Sequence, residues 1–199
     1  MAQQVSLFQQ FKDSLASNSW QGKSFEAKAW FIRHLHELSG KINRNKLLMD
    51  DRLVRAHGRP QVGKMCLFVY NAKHKDSLPY FDRFPLVLMM ESTPDGFTGL
   101  NLHYLHPLAR AAFLDKLLAL DNGPLSDTTK LKLKYSFLKK AATLSEFAPC
   151  YKRYLTDHVQ SRISVVLGSD FPVACFLPTE NFSGASKDKV WRDTKKRIK

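Results

Sequence analysis

Histidines, cysteines and paired acids are the side chains from which a metal centre or an acid–base site would be built, and few stand at a useful spacing here. Of seven histidines, His34 and His36 are two apart, so on a helix they point away from each other. His103 and His106, beside Tyr104 and Pro107, form a closer pair. No carboxylate follows them at the spacing of a metal-binding helix, and no Cys/His cluster accompanies them. They are expected to cap or hydrogen-bond a strand-to-helix junction, with Asn101 and Tyr104 fixing the same corner.

Asp50–Asp51 is an isolated adjacent acid pair inside a basic run. There it balances local charge more readily than it recruits a nuclease's magnesium, which needs several converging carboxylates. Cys66, Cys150 and Cys175 contain no CxxC pair; odd in number and widely spaced, they fit buried thiols in a reducing compartment. No Walker-type GxxxxGKS/T, GxGxxG or GxSxG stretch occurs. No catalytic residue, metal site or cofactor is therefore expected, and an enzyme is the weakest of the function classes.

Positive charge is the stronger chemical signal. Thirty-one Lys and Arg against 18 Asp and Glu leave a formal charge of +13, which calls for a polyanionic partner. Two stretches concentrate it. In "GKINRNKLLMDDRLVRAHGRP", Lys41, Arg44, Lys46, Arg52, Arg55 and Arg59 meet only Asp50 and Asp51. In "SKDKVWRDTKKRIK", Lys187, Lys189, Arg192, Lys195, Lys196, Arg197 and Lys199 surround Trp191. Cations that neutralise phosphates, with an aromatic that stacks on a base or sugar, are the elements of sequence-independent nucleic-acid binding. The same residues also admit plainer readings: Trp191 packed on the body, and 41–59 an amphipathic helix pair whose outer face happens to be basic. A membrane partner is not expected, since no apolar run approaches the roughly 18 to 20 residues that span a bilayer and no aromatic-rich apolar face accompanies the charge. The opening "MAQQVSLFQQFKDS" has no secretory pattern.

Something neutral must hold these cations in place. Residues 62–109 carry four cations and four acids, whereas 25–61 and 171–199 each carry a net +4. Val5, Phe8, Phe11 and Leu15, then Phe25, Ala29, Ile32 and Leu35, recur at helical spacing and predict two helices before Gly40. "KMCLFVY", "FPLVLMM" and "FTGLNL" predict strands, with "STPDGF" a turn in which Gly96 takes positive φ. Pro107 should open a helix, Ser126 should cap another running to about Ala142, and "RISVVL" and "FPVACFL" predict two further strands. The expected fold is α+β. Residues 1–61 form a helical region with a basic segment. Residues 62–199 form a core with a short, mainly antiparallel sheet of about five strands, flanked by helices and ending in a basic helix.

"LPYFDRFPLV", "GFTGLNLHYLHPLARA" and "FLPTENFSGASKDKVWRD" follow one another along the chain, after "GKINRNKLL" and "GKMCLFVYNAKHKDSLPY". Together they resemble segments of the DNA end protector proteins of T-even-like tailed bacteriophages. The resemblance implies a minor virion protein that joins the head after packaging, sits at the DNA terminus and enters the host cytoplasm with it. It further implies partners in double-stranded DNA ends, portal, neck or tail proteins, and a host recombination nuclease that is kept from the end. The alternative from another class is a structural connector of neck, tail or baseplate that uses the same cations on acidic proteins.

Overall fold

A computed structural model of the 199-residue chain describes residues 43–48, 54–56, 62–110, 113, 136, 147–166 and 171–196. The helices expected over 5–15 and 25–38 lie outside these residues, and of that expected over 126–142 the structure describes Ser136, which is helical. The fold is the expected α+β, and its centre is one antiparallel sheet. Its strands are β1 (Val54–Ala56), β2 (Met65–Leu67), β4 (Leu86–Thr93), β5 (Gly96–Asn101), β6 (Tyr151–Leu155) and β7 (Ser164–Val166), in the order β1-β7-β2-β4-β5-β6. A separate short ladder joins β3 (Phe81–Asp82) to β8 (Phe182–Ser183). Helices α1 (Arg44–Leu48), α2 (Phe171–Phe176) and α3 (Lys187–Lys196) complete the labelled elements; residues 107–110 are helical, as Pro107 predicts.

The central strands are apolar without alternation because both faces of the sheet are covered. Met65, Leu67, Leu86, Leu88 and Leu100 turn to one core, which α2 and α3 close with Ala174, Cys175 and Val190. Cys66, Val87, Met89, Phe97 and Val165 turn to the other. There Phe68, Tyr70, Phe97 and Tyr154 interlock, with ring centroids 4.9 to 6.2 Å apart and mostly edge to face, a favoured arrangement of aromatic quadrupoles. Two such cores leave no place for uncompensated charge on the buried strands of 62–109; Lys73, Lys75 and Asp76 lie on an exposed loop. The three cysteines are buried and free, and burial pushes each thiol up to about 12.

Three local expectations are revised, and one strand is added. "FPVACFL" is the helix α2, not a strand. Short apolar runs do not reveal their period, and Phe171, Ala174 and Cys175, at helical spacing, are the residues buried on the sheet. Within 41–59, α1 is followed by strand β1, which pairs Val54 with Val166, so the segment is not a pair of helices. Gly96 does not take positive φ; Gly63 and Gly184 do. Thr93 pairs with Gly96 around Pro94–Asp95, and glycine stands at 96 because a Cβ would run into the Tyr154 carbonyl of the neighbouring strand. Finally, "YKRYL" forms the edge strand β6 against β5. Its charged Lys152 and Arg153 hide the strand pattern from sequence, and an exposed charge such as that of Arg153 is how sheet edges avoid pairing with other chains.

Candidate nucleic-acid interface

The corner between β5 and the helical residues 107–110 fixes everything around it. Asn101 ends β5, and its side-chain oxygen accepts from the His103 N–H at 3.0 Å, capping a 3-10 turn over Leu102–Tyr104. Its amide nitrogen donates to Asp82 Oδ2 at 3.1 Å and to the Tyr154 hydroxyl at 3.0 Å. His103 is fully buried, with Nδ1 2.7 Å from Asp82 Oδ2 and Nε2 3.1 Å from Thr179 Oγ1. Burial alone would push the Asp82 carboxyl up. The His103 charge and the hydrogen bonds from His103, Phe84 and Asn101 outweigh it and hold Asp82 below the usual carboxylate range. His103 is thus a junction residue, as its neighbourhood in the sequence suggests.

Asp82, His103 and Thr179 stand in the order of a nucleophile relay, a pattern invisible in the sequence because 21 and 76 residues separate the partners. Thr179 is only 1% exposed and His103 is fully buried. A hydroxyl sealed in this way meets no substrate, and the line serves to tie the 177–181 segment to the sheet. Among the described residues no three His, Cys, Asp or Glu side chains converge as a metal site.

Arg110 extends the buried network. Its guanidinium donates to the carbonyls of Leu105 (2.9 Å), Cys175 (3.1 Å) and His103 (3.3 Å) and pairs with Glu180. Burial raises Glu180, but Arg110 and then His103 pull its carboxyl below the ordinary range. Arg44, one of the expected phosphate ligands, reaches the same segment from outside. Its Nε and Nη2 donate to the Thr179 and Glu180 carbonyls at 2.9 and 2.8 Å, so these donors fasten α1 to the chain leading into α3.

Helix α3 carries most of the expected basic residues that the structure describes. The Ser186 hydroxyl accepts from the Lys189 N–H at 3.3 Å at its start; Asp188 lies in its first turn and Lys195 and Lys196 in its last, each sign complementing the helix dipole. Val190 and Thr194, four apart, are buried. Trp191 follows them inward: Nε1 donates to the His103 carbonyl at 2.9 Å, and its ring meets His106 edge-on at 5.3 Å, with Arg110 and Lys187 each 5.7 Å from its centroid. Trp191 is therefore an anchor holding α3 on the junction. Arg192, Lys195 and Lys196 are exposed. Lys189 is exposed too, paired to Asp193 at 2.6 Å and 5.7 Å from the Tyr80 ring.

The other expected residues are not brought into this array by the described structure. Lys41, Arg52, Arg59, Arg197 and Lys199 lie outside the described residues; Lys46 and Arg55 lie in α1 and β1, with their side chains outside the description. Sequence reading passed over Lys73, Lys152 and Arg153, because each lies outside the dense basic runs. They gather beside a cleft between the 72–81 loop and β6.

Trp191→Phe removes one hydrogen bond and leaves the His103 carbonyl its contact with Arg110. Stability should fall by about 1 kcal/mol in urea unfolding, with duplex DNA affinity unchanged. Lost DNA binding at unchanged stability would return Trp191 to the binding face.

Neither curated proteins nor solved structures give a significant match to the chain. A family model described as "Phage T4 terminal DNA protecting protein" matches residues 4–196. With nearly the whole chain inside that match, and a buried, neutral scaffold presenting an outward row of cations, the chain belongs to the phage T4 terminal DNA protecting protein family.

Proposed function

We propose that the chain binds the ends of linear double-stranded DNA without regard to sequence and shields them from exonuclease, as a minor virion protein present at the DNA terminus after packaging. The family match over residues 4–196 carries this reading. The exposed cations of α3 support it. Lys189, Arg192, Lys195 and Lys196 present charge to phosphates from a helix whose other face is anchored. Backbone contact of this kind supplies affinity and position without sequence information. Arg197 and Lys199 extend the same run, and Lys41, Arg52 and Arg59 form the second basic group of this interface. Portal, neck or tail proteins would hold the protein in the particle, and a host recombination nuclease is the activity excluded once the DNA is in the cytoplasm.

The test is a processive exonuclease acting on linear duplex in the presence of the full chain. Protection is expected at about one protein assembly per terminus, since only the point of nuclease loading has to be blocked, and circular duplex should compete poorly. Protection that requires coating the whole length would reduce the reading to general phosphate binding. No protection at any ratio would favour a connector that uses its cations on acidic virion proteins. Unaided shortening of the DNA with magnesium would indicate a nuclease.

A further inference from the structure

Beside α3 the structure holds a cleft of about 430 Å³, within the range of small-ligand sites. Its walls differ in chemistry. Leu78, Tyr80 and Phe81 supply an apolar and aromatic side, and Leu78 is 43% exposed at the rim. Lys73, Lys152 and Arg153 supply a cationic side, with His74 beside Lys73. An aromatic strip runs beneath: Tyr80 and Tyr104 lie 6.1 Å apart, Lys152 Nζ is 4.4 Å from the Tyr104 centroid, and Lys189 Nζ is 5.7 Å from that of Tyr80. Two acids also line the cleft, and both are engaged. Asp82 is held by His103 and Asn101, and Asp95 takes both oxygens to Arg153 Nη2 at 2.7 Å. The cleft therefore keeps the charge of Lys73 at its exposed rim, and Lys189 of α3 borders it at Tyr80.

We propose that this cleft seats the terminal nucleotide of a DNA strand, its base against Tyr80 and Phe81 and its 5′ phosphate at Lys73. An aromatic face and a cation side by side are what a base and its phosphate require, and stacking of this sort is indifferent to base identity. The volume admits one nucleotide, so the site distinguishes a strand end from the interior of a duplex, where bases are stacked and paired. That supplies the end preference that the α3 cations lack, since phosphates occur all along the DNA. The inference rests on the end-binding reading and gives it a location.

The experiment titrates the isotope-labelled full chain with the phosphorylated dinucleotide pdTpdT, followed by amide chemical shifts, alongside the exonuclease assay. Shifts are expected at Lys73, His74, Leu78 and Tyr80. Omission of the 5′ phosphate (dTpdT) or Lys73→Glu should weaken binding about tenfold. Tyr80→Leu should weaken it about ten- to a hundredfold, the scale of one lost base stack. If Tyr80→Leu does not fold, the phosphate and Lys73→Glu arms decide. No shifts in the cleft at millimolar dinucleotide overturns the proposal, even where the wild type protects DNA ends, and the end-protection reading then stands without it. The mononucleotide dTMP should bind comparably, because it carries the base and 5′ phosphate that the cleft holds; no dTMP binding where pdTpdT binds would overturn the one-nucleotide site. Dinucleotide binding in the cleft by a wild type that protects no DNA would sustain the site and sink the end-protection reading.

Discussion

Replacing Arg110 with Ala should lower the free energy of unfolding by about 3–5 kcal/mol, the usual cost of removing one partner from a buried ion pair. Arg110 is 1% exposed, and the Glu180 side chain opposite it is 5% exposed. Without the guanidinium, Glu180 keeps a charge with little water to solvate it. The carbonyls of Leu105 and Cys175 lose a donor as well, and Trp191 loses a cation 5.7 Å from its ring. For a chain of this size about 1 kcal/mol moves the midpoint by roughly 2–4 °C, so a fall of about 6–20 °C should appear in thermal unfolding. Arg192→Ala, on the exposed side of α3, should stay within about 0.5 kcal/mol. The pair Arg110→Leu and Glu180→Leu made together should cost less than the two single changes added, because neither charge is then stranded. An Arg110→Ala loss below about 1 kcal/mol would mean that the network is incidental to the fold.

The same network sets an acid limit. Asp82 and Glu180 both have folded pKa values below the ordinary carboxylate range, so the folded state binds their protons less readily than the unfolded chain. Their contribution is full above about pH 4, the unstructured carboxylate value, and disappears as pH falls through the lower folded values. Urea midpoints should hold level down to about pH 5 and then drop, and Asp82→Asn should flatten the drop.

Affinity for linear duplex DNA should fall on the order of a thousandfold between about 50 and 200 mM salt if roughly six phosphates are neutralised. Fluorescence anisotropy with a labelled duplex measures the slope. Changing Lys189, Arg192, Lys195 and Lys196 to Glu should weaken binding uniformly across sequences and lower the slope by about one for each phosphate no longer neutralised. Stability should change little, because these side chains are exposed and exposed ion pairs contribute about 0–1 kcal/mol. The Lys189–Asp193 pair is broken in that variant and falls within the same small range. A shallow salt slope would point to a connector whose partners are proteins.

Sequence alone set the sign of the chain's charge and the character of the core. The chain's imbalance of Lys and Arg over acids attracts polyanions whatever the fold, because net charge depends only on composition. The neutral block 62–109 had to be sheet interior, since "FPLVLMM" and "KMCLFVY" leave no polar face to offer water. The tail likewise read as a basic helix, because helical period is a local property; that Val190 and Thr194 are its buried residues came from the structure.

Tertiary structure alone decided which charges are available. Arg110 and Arg44 look in the sequence like any other arginines, yet one is buried against Glu180 and the other is fastened to two carbonyls. Trp191 sits among cations in the sequence, but the His103 carbonyl, 88 residues away, turns its indole inward. "FPVACFL" became a helix because the sheet face it covers accepts residues three and four apart. The gathering of Lys73, Lys152 and Arg153 beside Tyr80 follows from β6 pairing with β5, which brings residue 152 opposite residue 99. Burial and partnership depend on contacts between residues far apart along the chain, and a local pattern carries no record of them.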